Sequence, residues 1–466
     1  MTDSIDNGIK SAGSSRLSRR SLVRGAAAAG IALPFVNRSL KAAPLPPKGS
    51  FLSRYQDATP AAIQLPDFTG KTLNFLIIQP HAVTGELLKA DFEAATGAKV
   101  NVTVVPYDQV QAKATLDVQS GANELDVIDY WYTTVGALAS QGILEDLTDF
   151  IANDPDIDPA DFIPSIYDTY TLYDGKRWGL PYDGDTHVLF YNTEIFARHN
   201  LTAPQSWEDY LTNAKTVTEA EGKDGIYGAG IMGAKFPIIL GCSYVNRLAG
   251  YGGSLLSADG KPTLDTPEAI AAAQALVDAS PYALPTPLET AFEQALPAFS
   301  GGKTAQQEFW TDLGVYAQSS EGTLVADKWD VVQNPYGGSN TNHVAPLNAG
   351  FAFGVSTGAK EKEVARWFVK FATSKAFHVK TLTTVGSGID PMRVSGLNSE
   401  AYKAFAPKVQ VAAGAALNSV LAWPTIPQSP DLMTKLTDEI ALVLQGSKSP
   451  EDALKAAQES WVQILG

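Results

Sequence analysis

The chain has 466 residues, 45% of them hydrophobic and 18% charged, with a formal net charge of −15 and one cysteine, Cys242. That length exceeds one ordinary core and predicts two or three domain-sized units, and the composition excludes a disordered chain. The acidity disfavours nucleic acid, anionic lipid and polyanionic substrates, while a lone cysteine excludes an intrachain disulfide and a cysteine-rich metal site and reads as a small buried hydrophobe.

Residues 18–24 carry Arg19 and Arg20 and resemble a twin-arginine export motif, followed by an apolar run over 25–36. That run is too short to span a bilayer, so residues 1–43 read as a signal peptide. No cysteine lies near it to take a lipid anchor. The remaining body holds 28 basic and 48 acidic side chains. Residues 44–66 contain five prolines and read as an extended linker. No later segment qualifies as a membrane span, which predicts a soluble mature protein.

Regular structure is expected from residue 67. Residues 73–78 form a short apolar run of buried-strand length. Leu88, Phe92 and Ala95 then mark a helix that Gly97 closes. Val100, Val102 and Val104 alternate in a second strand, and a helix over 109–120 leads to a third strand at 125–128. Strand, helix, strand, helix, strand implies a parallel sheet with ligands at the carboxyl ends of its strands. This rule singles out the loops at 79–84 and 129–134. Further along, 188–191 is a strand and Ser206 with Asp209 forms a capping box. Thr266 and Pro267 open another helix, and 350–356 reads as a glycine-containing strand. Val364, Trp367, Phe368 and Phe371 share one helix face. Two helices close the chain, with apolar faces at Leu432, Leu436, Ile440 and Val443, and at Leu454, Ala457, Trp461 and Ile464.

Several segments in this order resemble the extracellular solute-binding proteins of sugar-type ABC importers, the maltose-binding-protein-like group. They are the opening at 73–104 with its Phe92-to-Gly97 turn, 126–128 followed by 138–147, 178–182 followed by 189–196, the helix at 204–214, 299–305, the strand at 349–356, and the tail at 426–428 with 449–465. The resemblance covers about residues 67–466. It implies an α/β, two-lobed periplasmic-binding-protein fold, each lobe a mainly parallel sheet flanked by helices, with a hinge between lobes. The lobes would be 67–183 with 351–392, and 189–346 with 400–466, joined by crossings near 183–188, 345–350 and 392–400. The expected function is capture of a small carbohydrate, a monosaccharide, polyol or short oligosaccharide, for delivery to the transmembrane subunits of an ABC permease. A periplasmic monomer without cofactor or metal is expected.

A sugar has apolar faces suited to aromatic rings and a hydroxyl rim suited to carboxylates, amides and guanidinium groups. Gln79 and His81 end the first strand; Trp131 and Tyr132 lie in the polar-aromatic stretch after the third; Asp183 and Asp185 lie at the first crossing. Asn348 and Gly350 sit on the return crossing, where bare backbone would approach a ligand. Trp423, before Pro424, is a further cleft candidate. The resemblance adds Trp310, where the family places a stacking aromatic, and Arg393, in a Pro-x-Arg position where it would bond the solute or a cleft carboxylate. Two rivals stand beside this reading. One is the same fold binding ferric ion, through Tyr130 and Tyr132, or a polyamine. The other is a secreted carbohydrate-active enzyme using Asp183 and Asp185 as acid and base, but these would face opposite sides of an extended segment and no hydrolase motif accompanies them.

Overall fold

The computed structural model describes residues 63–319 and 321–466. The expected signal peptide and most of the linker lie outside the described residues. Strand β1 (Thr72–Ile78) leads through a single 3-10 turn into helix α1 (Ala82–Thr96), and strand β2 (Lys99–Val105) follows. Leu88 and Phe92 are buried on α1 as the spacing predicts, but the next inward position is Thr96, and Ala95 is exposed. Gly97 ends the helix at φ +71°, a left-handed conformation that costs glycine little. Val100 is buried while Val104 is 43% exposed, because β2 is the edge of its sheet.

Helix α2 (Val110–Gln119) carries the chain to β3 (Val127–Trp131). This strand begins later than the apolar run suggested and continues through Asp129, Tyr130 and Trp131, which the sequence placed in a loop. A buried carboxylate is tolerated mid-sheet because Asp129 accepts from the Ile78 amide and the Tyr182 hydroxyl, both at 3.0 Å. Strand β4 (Leu180–Asp183) completes the region, and the chain then passes directly to β5 (His187–Asn192) of a second sheet. There it is joined by β6 (Gln306–Trp310) and β7 (Trp329–Val332), before β8 (Phe351–Val355) returns to the first sheet.

The first sheet has order β2-β1-β3-β8-β4; β1, β2 and β3 are parallel and β8 runs antiparallel to both β3 and β4. The second has order β6-β5-β7 with both pairings antiparallel. The expectation of a mainly parallel sheet in each lobe therefore holds for the first and fails for the second. Long helical excursions separate β5, β6 and β7, and these return each strand in either sense, whereas short βαβ crossovers enforce parallel pairing.

Local signals in the helices match their geometry. Ser206 accepts from the Asp209 amide at 3.0 Å while the Asp209 carboxylate accepts from the Ser206 amide at 3.1 Å. Thr266 caps the helix Pro267–Ala279, and Ser449 caps Pro450–Leu465. Phe368 is buried, Trp367 and Phe371 pack partly buried against the core, and Cys242 is buried and free. Apolar side chains around both sheets belong to one continuous buried cluster.

Candidate ligand-binding cleft

A small cavity of about 30 Å³ lies where the ends of the two sheets converge. Ile78, Pro80 and His81 follow β1, Asp185 follows β4, Trp310 ends β6 with Asp312 just beyond it, and Ala349 and Phe351 begin the return to β8. Tyr107, from the loop after β2, and Phe292 add aromatic walls. This placement obeys the strand-end rule for open α/β sheets. Tyr107 also lines an adjoining cavity of about 200 Å³ with Trp131 and Phe236. Its ring meets Phe236 edge-on with centroids 6.0 Å apart, so this pair partitions the two spaces.

Four carboxylates cluster on the polar side: Asp183, Asp185, Asp312 and Asp390. The Asp390 amide donates to Asp183 at 2.7 Å. Asp390 accepts from the Thr311 amide at 3.1 Å and from the Thr311 hydroxyl, and its side chain hydrogen-bonds Asp185. Burial pushes Asp183, Asp185 and Asp312 well above the usual carboxylate range; after burial, Asp390 raises Asp183 and Asp312 further, and Asp183 raises Asp185. Burial also raises Asp390, against the bonds from Asp185 and Thr311. Asp129 is pushed up to about 8, again by burial. His81, buried beside them, is lowered to about 3 by desolvation; its Nδ1 lies 2.6 Å from the Tyr182 hydroxyl and its Nε2 3.6 Å from Asp183.

Of the residues expected from sequence, His81, Asp185 and Trp310 line this cavity. Asp183 sits behind Asp185, fully buried. Gln79 is exposed and does not line it, and Trp131 faces the adjoining cavity. Tyr132, Asn348 and Trp423 form a dry scaffold beneath. The Tyr132 hydroxyl donates to the Leu347 carbonyl at 2.6 Å and accepts from the Trp423 amide at 3.0 Å. The Trp423 indole donates to the Asn348 side chain at 2.9 Å, and the Trp310 indole donates to the Asn348 carbonyl at 2.8 Å. Aromatic polar handles here are consumed internally.

Gly350 is bare for a different reason than expected. A β-carbon there would lie 1.9 Å from the Tyr170 hydroxyl, so the backbone makes room for a tyrosine rather than a ligand. Arg393 is also placed elsewhere. It donates to Thr373, Ile157 and Asp158 carbonyls, pairs with Asp161 at 3.3 Å, and lies 3.7 Å over the Phe162 ring. It braces buried loops and reaches neither cavity nor carboxylate cluster.

Sequence reasoning missed Tyr107, Phe292, Asp312 and Asp390. Asp312 lies two residues beyond a chosen tryptophan and Asp390 three before a chosen arginine, so proximity was the only available signal. Ala349, whose φ is +67°, is a non-glycine in the left-handed region on the cavity wall. Such strain persists where surrounding contacts over-determine the backbone, here the Asn348 bonds on its flank.

The fold is that of a two-lobed binding protein with a small cavity where its two sheets converge. The chain belongs to the bacterial extracellular solute-binding protein family, whose model matches residues 81–377. It is 26% identical over 441 residues to a probable amino-acid ABC transporter periplasmic-binding protein of Sinorhizobium fredii, covering 91% of this chain and 97% of the relative. It is 26% identical to the diacetylchitobiose binding protein of Streptomyces coelicolor, covering 84% and 89%. Among solved structures it resembles an ABC transporter solute-binding protein from Thermotoga lettingae bound with α-D-tagatose, with TM-score 0.76, 25% identity, and coverage of 85% and 100%. Among the described residues no helix is long and apolar enough to cross a membrane.

Proposed function

We propose that this chain is the substrate-binding component of an ABC importer that captures a small carbohydrate or polyol and delivers it to a membrane permease. The carrying observation is the cavity itself, whose rings at Trp310, Phe292 and Tyr107 suit the apolar faces of a sugar while Asp185 and Asp312 suit its hydroxyls. The family is one of binding proteins, and relatives named for diacetylchitobiose and bound with tagatose support a carbohydrate cargo.

The site in this reading comprises His81, Tyr107, Asp185, Phe292, Trp310 and Asp312. The lobes are 67–183 with 351–392 and 189–346 with 400–466. The chain acts as a periplasmic monomer exported by the twin-arginine route, and hinge motion opens the cleft. An amino-acid cargo, suggested by the Sinorhizobium fredii relative, fits less well: among the described residues no Lys or Arg lines the cavity to receive its carboxylate.

A thermal-shift screen of the purified chain against sugars, polyols, amino acids and oligosaccharides tests this. A cargo at 100 times its dissociation constant adds about 2.7 kcal/mol of stability. Stabilisation by a monosaccharide or polyol is expected; stabilisation by amino acids alone overturns the carbohydrate assignment.

A further inference from the structure

The carboxylate cluster has no counter-charge. Asp183, Asp185, Asp312 and Asp390 are all buried, and none pairs with a lysine or arginine among the described residues. The groups that face them are His81, Thr311, Tyr170, Tyr182, Tyr316 and Tyr402, and none of these is a cation at neutral pH. Two oxygens also lack any hydrogen-bond partner: Asp183 Oδ2, on a side chain 0% exposed, and Asp312 Oδ1, on a residue 7% exposed that lines the cavity. An unpaired buried carboxylate costs far more than a paired one. A neutral hydroxyl satisfies an acceptor while the cluster keeps its protons. An ammonium group supplies both donors and charge. The same cavity is lined by Trp310, Phe292 and Tyr107, rings whose faces attract cations.

We infer that the cargo is an amine-bearing sugar or polyol whose ammonium group seats between Asp185 and Asp312 while its carbon skeleton lies against Trp310 and Phe292. This deepens the carbohydrate reading and rests on it. Without cargo, the cluster holds protons in place of the cation, so binding an ammonium group releases protons while binding a neutral polyol does not.

The test is calorimetric titration of the full mature chain, refolded to strip co-purified ligand, with matched pairs: D-glucose against D-glucosamine, and D-sorbitol against D-glucamine, with putrescine as a sugar-free diamine. At least one amine should bind about tenfold or more tighter than its hydroxyl counterpart. Its binding enthalpy should depend on the buffer's ionisation enthalpy, reporting proton release. Asp312→Asn should lower amine affinity more than hydroxyl affinity and so collapse the ratio; if that variant does not fold, Asp185→Asn reads the same ratio. A neutral member binding as tightly as its amine, or better, overturns the ammonium site and leaves the carbohydrate reading standing. Putrescine binding alone keeps the ammonium site and overturns the carbohydrate frame. No binding by any of the five overturns both.

Discussion

Two buried charged clusters in this molecule have opposite constructions. Beside β5 and β6, Arg247 holds Glu308 through two parallel bonds of 2.9 and 2.8 Å, both side chains almost wholly buried. Asn246 also donates to Glu308 at 3.0 Å, Arg247 donates to the Ser243 carbonyl at 2.8 Å, and Trp207 lies 4.4 Å under the guanidinium. That cluster is charge-neutral, and of the Arg247 nitrogens only Nε lacks a partner. The Asp183, Asp185, Asp312 and Asp390 cluster is all acidic, has no lysine or arginine partner among the described residues, is short of donors and meets a cavity. The contrast teaches that burial of charge by itself does not mark a site. A missing partner at a cavity wall does.

The sharpest way to break this comparison is to remove one carboxylate from each cluster. Glu308→Gln strands a buried guanidinium and should destabilise the fold by about 3–5 kcal/mol in denaturant unfolding. Asp183→Asn keeps an acceptor for the Asp390 amide in a cluster that burial already pushes toward its neutral form, and should change stability by no more than about 1 kcal/mol. Comparable losses in both variants would show that the two clusters serve the same structural purpose.

Next in size is the pH dependence of the empty protein. Asp129, at about 8, and the raised Asp183, Asp185 and Asp312 bind protons in the folded state that the unfolded chain, near the ordinary value of 3.8, has released. Their stabilisation is complete below 3.8 and is lost as pH rises through the folded values. Buried His81, His187 and His378, each lowered to about 3, act oppositely, but only below their ordinary value of 6.5. From pH 6.5 to 8 the carboxyls act alone, and stability should fall, by roughly 2 kcal/mol from Asp129 alone. Asp129→Asn should flatten that slope. A melting temperature that rises over this window would refute the assignment.

A smaller effect is expected at the aromatic partition. Tyr107→Ala removes the edge contact with Phe236 and should cost about 0.5–1.5 kcal/mol, seen as faster cargo release in stopped-flow fluorescence. The smallest is Ala349→Gly, which relieves a left-handed backbone and should stabilise by about 0.5–1 kcal/mol in unfolding titrations. An unchanged stability there would mean that the loop relaxes without glycine.

Much of the architecture was legible because its signals are local. The period-two and period-3.6 runs behind β1, α1 and the terminal helices, the Ser206 box and the Gly97 stop are each decided within a few residues. His81 was legible because cleft residues follow strand ends, Asp185 because it lies at an expected crossing between lobes, and Trp310 only through the family resemblance. Trp423 and Tyr132 misled because an aromatic with a polar handle has the same composition whether it meets a sugar or an asparagine. Arg393 misled because its partner, Asp161, lies far away in sequence.

By itself the sequence determined the α/β class, the element order and the family resemblance, since these depend on hydrophobic period, caps and ordered short motifs. Only the tertiary structure decided that the second sheet is antiparallel, that β3 runs on through Asp129, and that Asp312 and Asp390 join Asp183 and Asp185. Those four carboxylates come from chain segments as far apart as residues 183 and 390, and a like-charge cluster has no signature until folding removes the water that would have screened it.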